Sequence, residues 1–181
     1  MSGRTTEPRT SVPAPRTPGR YRVAAVCLGN ICRSPVADVV LSARVAEAGL
    51  ADVVEVVSAG TAGYHVGGGM DPRSAATLSA AGYDPTRHRA QQFWPTWHDE
   101  CDLVLVMDRS NLRDVGPGER TFLFRDFDPV GTGCEVPDPY YGGEDGFREV
   151  LEMVERTSER VVALIAAQMT DADTVGSQEQ A

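Results

Sequence analysis

Cys27-Leu28-Gly29-Asn30-Ile31-Cys32-Arg33-Ser34-Pro35 places a thiol and a guanidinium around a glycine and an asparagine. Those residue types suit chemistry on a tetrahedral oxyanion. Cysteine supplies a nucleophile, and arginine's planar fork can hold two oxygens at once, which a lysine ammonium cannot reproduce. Gly29 and Asn30 are residue types that accept positive φ in a tight loop. The spacing alone is a weak signal. Four cysteines and 17 basic residues, all arginine, in 181 positions give roughly 0.4 chance matches to Cys-x5-Arg.

The flanking elements decide more. Arg22-Val23-Ala24-Ala25-Val26 reads as a short buried strand running into Cys27. Ser34 at an N-cap and Pro35 at the first helical position then start a helix. Val36, Val39, Val40, Ala43 and Ala46 recur along it at helical spacing, and Gly49 ends it. A loop between a strand and a helix amino terminus can converge backbone N–H groups on an anion, and the helix dipole favours negative charge there. The same field favours a thiolate at Cys27.

Further along, residues 53–57 read as a second strand and Asp71-Pro72 opens a second helix that Gly82 closes. Residues 103–107 give a third strand, and Thr121 to Phe124 a fourth. Phe147, Val150, Leu151, Val154, Val161 and Ile165 mark a long amphipathic helix. This alternation predicts a single α/β domain over 21–169. Its core would be a central four-stranded parallel sheet with helices on both faces and a phosphate loop after the first strand. Ligands of such sheets bind beyond the carboxyl ends of the strands, where Cys27 falls. Residues 1–20, with four prolines, four arginines and one acid, read as a flexible basic tail; 170–181 read as a flexible acidic one.

The net charge of −9 argues against nucleic-acid binding. No apolar run has the length of a membrane span. The cysteines and histidines lack zinc-site spacing, so no metal or cofactor is expected. No secretory signal is visible, and the chain reads as cytoplasmic with reduced thiols. Cys101 reads as a core thiol; Cys134 and Gly67-Gly68-Gly69 suggest no role.

The Cys27–Pro35 segment resembles the signature loop of the low-molecular-weight protein tyrosine phosphatases. The likeness covers roughly residues 20–168 and includes Ser58-Ala59-Gly60-Thr61, Asp71-Pro72-Arg73 and Val136-Pro137-Asp138-Pro139-Tyr140-Tyr141-Gly142. The resemblance implies hydrolysis of phosphotyrosine in proteins or peptides, through a phosphocysteine, without a metal. Inorganic phosphate would be the product and the enzyme a monomer. It implies Cys27 as nucleophile, Arg33 as oxyanion holder and Asp138 as general acid, with Leu28, Gly29, Asn30, Ile31, Cys32 and Ser34 forming the loop. Ser34 would also ease departure of the Cys27 sulfur, and Ser58 and His88 would support the loop through Asn30. Tyr64 and Tyr140 would wall the slot for the ring, and Cys32 would be the redox partner of Cys27. Related arginine phosphatases tend to carry Thr at the place of Ile31 and Phe at that of Tyr140, so both residues here point to phosphotyrosine. A binding module without activity would typically lack the thiol, the arginine or the acid; all three are present.

Overall fold

The computed structural model describes residues 7–178, and side chains within them as far as Asp171. Among these residues four strands form one parallel sheet: β1 (Tyr21–Cys27), β2 (Val54–Gly60), β3 (Leu103–Val106) and β4 (Thr121–Leu123), in the order β2-β1-β3-β4. Period-2 alternation divides β1 between two cores. Val23, Ala25 and Cys27 pack with α1 (Arg33–Glu47), α2 (Pro72–Ala80) and α5 (Glu144–Gln178). Ala24 and Val26 face the other way, onto Phe93 and the short helices α3 (Trp97–Glu100) and α4 (Arg109–Val115). Helices therefore cover both faces, and the order reverses between β2 and β3, on either side of β1. The crevice at that switch point is where an α/β sheet takes its ligand.

Several boundaries differ from the sequence expectation. Helix α1 begins at Arg33, with Cys32 rather than Ser34 at the N-cap and no side-chain cap. The Ser34 hydroxyl is committed to the loop instead, as described below. Asp71 does cap α2, accepting from the Arg73 N–H, with Pro72 leading the helix. The 97–100 and 109–115 helices carry too few turns for an apolar period to show. Phe124 belongs to a 3-10 turn (Phe124–Phe127) rather than to β4.

Within the described residues, both stretches expected to be flexible tails are structured. Residues 8–20 lie along the domain: Val12 is buried, and the Tyr21 hydroxyl donates to the Pro13 carbonyl at 3.0 Å. The Arg16 N–H donates to Asp102 at 2.6 Å, and its guanidinium donates to the carbonyls of Cys101 and His98. Arg9 stacks 3.9 Å above the Phe122 ring. This segment is held by arginines and free carbonyls rather than by an apolar period, so composition alone misses it. Residues 1–6 lie outside the described residues. At the other end α5 runs on to Gln178, because no proline interrupts it; 179–181 lie outside the described residues.

Candidate active site

The carboxyl end of β1 delivers Cys27 to the floor of a cavity of about 220 Å³. Its wall includes Leu28, Gly29, Ile31, Cys32 and Arg33 from the loop, Tyr64 and His65 from the segment after β2, and Asp138, Tyr140 and Tyr141. Two backbone bonds tie the loop to the end of β2: Thr61 N–H to the Cys27 carbonyl and Ala62 N–H to the Leu28 carbonyl, both 2.9 Å. A Cβ on Gly60 would stand 2.7 Å from the Leu28 carbonyl oxygen, so only glycine permits that approach. Among the described residues the N–H groups of Leu28 to Cys32 take no protein acceptor, which leaves a ring of donors for an anion.

Asn30 carries the loop's tightest turn. It is buried, at φ 55°, and among the described residues no other non-glycine has positive φ. Its side chain repays that strain with three hydrogen bonds. The Gln91 N–H donates to Asn30 Oδ1 at 3.0 Å, and Nδ2 donates to Ser34 Oγ at 2.8 Å and Ser58 Oγ at 3.1 Å. Ser34 Oγ lies 3.0 Å from Cys27 Sγ. His88 Nε2 is 2.7 Å from the Asn30 carbonyl. A carbonyl only accepts, so Nε2 carries the hydrogen. Burial keeps His88 below its usual value, against that bond, and the imidazole is neutral.

Arg33 is 3% exposed. Its guanidinium donates to Asp108 Oδ2 at 2.6 Å and to the Val136 carbonyl at 3.1 Å, and Nη2 stands 3.5 Å from Asp138 Oδ2. Burial opposes the charge, but Cys27, Asp108 and Asp138 together hold the guanidinium above its usual value. Asp138 Oδ1 accepts from the Tyr140 N–H at 3.1 Å. The Asp-Pro turn thus aims the other oxygen at Arg33 and into the cavity. Burial, then the acids Asp71, Cys27 and Asp138, push the Cys32 thiol up to about 12.

Of the residues singled out from the sequence, Cys27, Leu28, Gly29, Ile31, Cys32, Arg33, Tyr64, Asp138 and Tyr140 line this cavity, whereas Asn30, Ser34, Ser58 and His88 are buried behind it as supports. Tyr64 is the most open, 78% exposed. The sequence reading missed Asp108, the partner of Arg33, although it follows an all-apolar strand at the carboxyl edge of the sheet. It missed Gln91, Arg73 and Asp38 as well. Arg73 donates to the Tyr140 carbonyl at 2.9 Å and stacks on its ring. Asp38 repeats the Ser34 face of α1 at i+4, which was the available signal.

Fold and site define a class: phosphomonoester hydrolases that carry their cysteine at the end of the first strand of a doubly wound sheet. Residues 22–171 match the family model for low molecular weight phosphotyrosine protein phosphatases. A Streptomyces coelicolor low molecular weight protein-tyrosine-phosphatase is 48% identical over 158 residues, 82% of this chain and 96% of that one. The Mycobacterium tuberculosis low molecular weight protein-tyrosine phosphatase A is 45% identical, covering 74% of this chain and 84% of its own. A crystal structure of an Entamoeba histolytica protein tyrosine phosphatase with Hepes in the active site superimposes at a TM-score of 0.77 with 31% identity. That match covers 81% of this chain and 97% of that one. The chain belongs to the low molecular weight phosphotyrosine protein phosphatase family, and is an enzyme of that kind.

Proposed function

We propose that the enzyme hydrolyses phosphotyrosine in two steps through a phosphocysteine at Cys27. The observation that carries this is the shared cavity: the Cys27 sulfur, the Arg33 guanidinium, the unengaged loop amides and the Asp138 carboxyl all open onto it. In the first step the sulfur forms a bond to phosphorus as the phosphorus–phenol bond breaks. Arg33 and the amides hold the three equatorial oxygens, over which the charge of the transferring group is spread. Asp138 gives its proton to the departing phenol oxygen. In the second step Asp138 takes a proton from water, which attacks phosphorus and expels the sulfur. Ser34 donates to the sulfur as negative charge returns to it. The positive charge needed comes from Arg33 and the loop, so the sequence of steps calls for no metal.

Leu28, Gly29, Ile31 and Cys32 contribute the cradle, and Asn30, supported by Ser58 and His88, fixes its shape. Tyr64 and Tyr140, both on the cavity wall, form the sides of the slot for the aromatic ring. Cys32 serves as the redox partner of Cys27, and the working compartment is the cytoplasm. Among the described residues no helix is long and apolar enough to cross a membrane. The test is an assay in chelator with phosphotyrosine, phosphoserine and phosphoarginine peptides. Turnover confined to phosphotyrosine supports the reading; preference for phosphoarginine, or loss of turnover in chelator, overturns it.

A further inference from the structure

Behind the phosphate loop, on the side away from substrate, lies a second cavity of about 560 Å³. Asp38, Ser42, Asp84, Arg87 and His88 are among its walls. Two of these, Asp38 and His88, also reach the loop's support. Asp38 accepts from the Ser58 hydroxyl at 2.9 Å through Oδ2 and from the Ser42 hydroxyl at 3.3 Å through Oδ1. No step of the chemistry uses this carboxylate.

The hydrogen-bond directions give it a task. The Gln91 N–H can only donate, so Asn30 must present Oδ1 to it and Nδ2 to the two serines. Ser58 Oγ receives one of the Asn30 hydrogens, so its own hydrogen must find an acceptor elsewhere, and Asp38 Oδ2 is that acceptor. Ser34 Oγ receives the other Asn30 hydrogen, so its own hydrogen is free for Cys27 Sγ, or for the Ala59 carbonyl at 3.3 Å. The sense is fixed from Gln91 through Asn30 and Ser58 to Asp38, and at Ser34 a Cys27 thiolate, which can only accept, draws the hydroxyl hydrogen to the sulfur. Without an acceptor at position 38 the Ser58 hydroxyl has no fixed rotamer and competes for Asn30 as a second donor.

We propose that Asp38 is a positioning residue for the nucleophile: as terminal acceptor it orients Ser58, and through Asn30 and Ser34 it aims a hydroxyl at the Cys27 sulfur. The proposal rests on Cys27 as the nucleophile. What matters is the acceptor rather than the charge. Burial pushes the Asp38 carboxyl up to about 6, against the two serine bonds, so the fold bears a cost for its charge at neutral pH. Arg87 and Asp84 face it across the cavity from the segment after α2. An uncharged acceptor of the same shape should therefore serve.

Two variants separate the alternatives, because both remove the charge and only one keeps the acceptor. Asp38→Asn can accept from Ser58 and donate to the Ser42 oxygen; Asp38→Leu can do neither. We expect kcat of Asp38→Asn to stay within about threefold of wild type, and that of Asp38→Leu to fall about tenfold with KM little moved. Alkylation of Cys27 by iodoacetamide, followed by peptide mapping, needs no substrate. Its midpoint against pH should lie about one unit higher in Asp38→Leu than in Asp38→Asn, the worth of one hydrogen bond to a charged group. In a Ser58→Ala background the two should become equal. Melting separates position from stability, since both variants should melt no lower than wild type at pH 7.5 while only one is slow. Equal kcat and equal alkylation midpoints in the two variants, or a loss in Asp38→Leu that follows a lowered melting temperature, would overturn the proposal. Absence of wild-type turnover would count against the phosphatase reading and leave the alkylation comparison to decide this one.

Discussion

Asp108→Asn tests what holds Arg33 in place. The carboxylate has two duties: Oδ1 accepts from the Asn111 N–H at 2.8 Å to cap α4, and Oδ2 accepts from Arg33 Nη1 at 2.6 Å. Asparagine has the same outline and is as good an N-cap, but only one oxygen. If that oxygen keeps the cap, the amide nitrogen turns two hydrogens toward a guanidinium that also only donates. Arg33 would be left with the Val136 carbonyl and Asp138 Oδ2 at 3.5 Å. Losing one hydrogen bond between charged groups costs about 1.5–3 kcal/mol. The upper end applies here because Arg33 is almost wholly buried. In the transition state that loss corresponds to about 100-fold in kcat/KM. The competitive inhibition constant for inorganic phosphate should rise alongside it, since both ligands use the same fork. The assay is kcat/KM on an aryl phosphate with phosphate inhibition and a melting curve on the same samples. A variant within twofold of wild type on both kinetic measures would show that the loop alone places Arg33, and would refute the argument.

Cys27→Ser should abolish turnover while binding of a phosphotyrosine peptide, read by calorimetry, persists on Arg33 and the amides; residual turnover in chelator would reject the nucleophile. Asp138→Asn should slow hydrolysis of aryl phosphates with poor leaving groups by about 10²–10⁴-fold, with the effect shrinking as the phenol becomes more acidic; a uniform loss would make Asp138 structural. Peroxide should oxidise Cys27 to a sulfenic acid, which the Cys32 thiol converts to a disulfide with loss of water; dithiothreitol then restores the wild type. Cys32→Ser should recover poorly, with sulfinic Cys27 in the peptide map, and equal recovery would leave Cys32 as packing. The Asp38 carboxyl, raised from 3.8 to about 6, binds its proton more tightly in the folded state. Its stabilisation is complete below the unfolded value and is lost as pH rises through 6, a difference of about 3 kcal/mol at most. The gap in unfolding free energy between Asp38→Asn and wild type should therefore widen in favour of Asn from pH 4 to pH 8; a flat difference would refute the shift.

Local pattern carried much of the site. The Cys27–Pro35 loop is contiguous, and its strand, glycine and following helix lie within a few residues of it. Asp138 was legible only through the resemblance of Val136 to Gly142 to the family's element, since by local pattern Asp-Pro is as readily a plain turn. The partners of the loop are another matter. Arg33 and Asp108 are 75 positions apart, and Asn30 and Gln91 are 61 apart. No fixed spacing announces a contact that exists only once the sheet has formed. Residues 8–20 failed for a related reason. Pattern analysis looks for apolar period, and this segment docks through Arg9, Arg16 and the carbonyls of Pro13 and Ala14.

The way the loop is held explains why its supports had to be dispersed. The loop combines several features that are unfavourable alone: a non-glycine at positive φ, a buried guanidinium, and a run of donors with no protein acceptor. Backbone strain of this kind costs on the order of 1–3 kcal/mol per site. A nine-residue segment cannot offset that from within, because its own donors must stay free for the anion. The compensating bonds therefore come from outside: Ser58 and the backbone after it from β2, Gln91 and His88 from the segment after α2, Asp108 from the end of β3, and Asp38 from one turn further along α1. Each support enters from a different element, so the loop takes its shape only when all of them are docked. The nucleophile's geometry is then a property of the folded domain rather than of the signature, which is why a change at position 38, out of reach of any substrate, is expected to register at the sulfur.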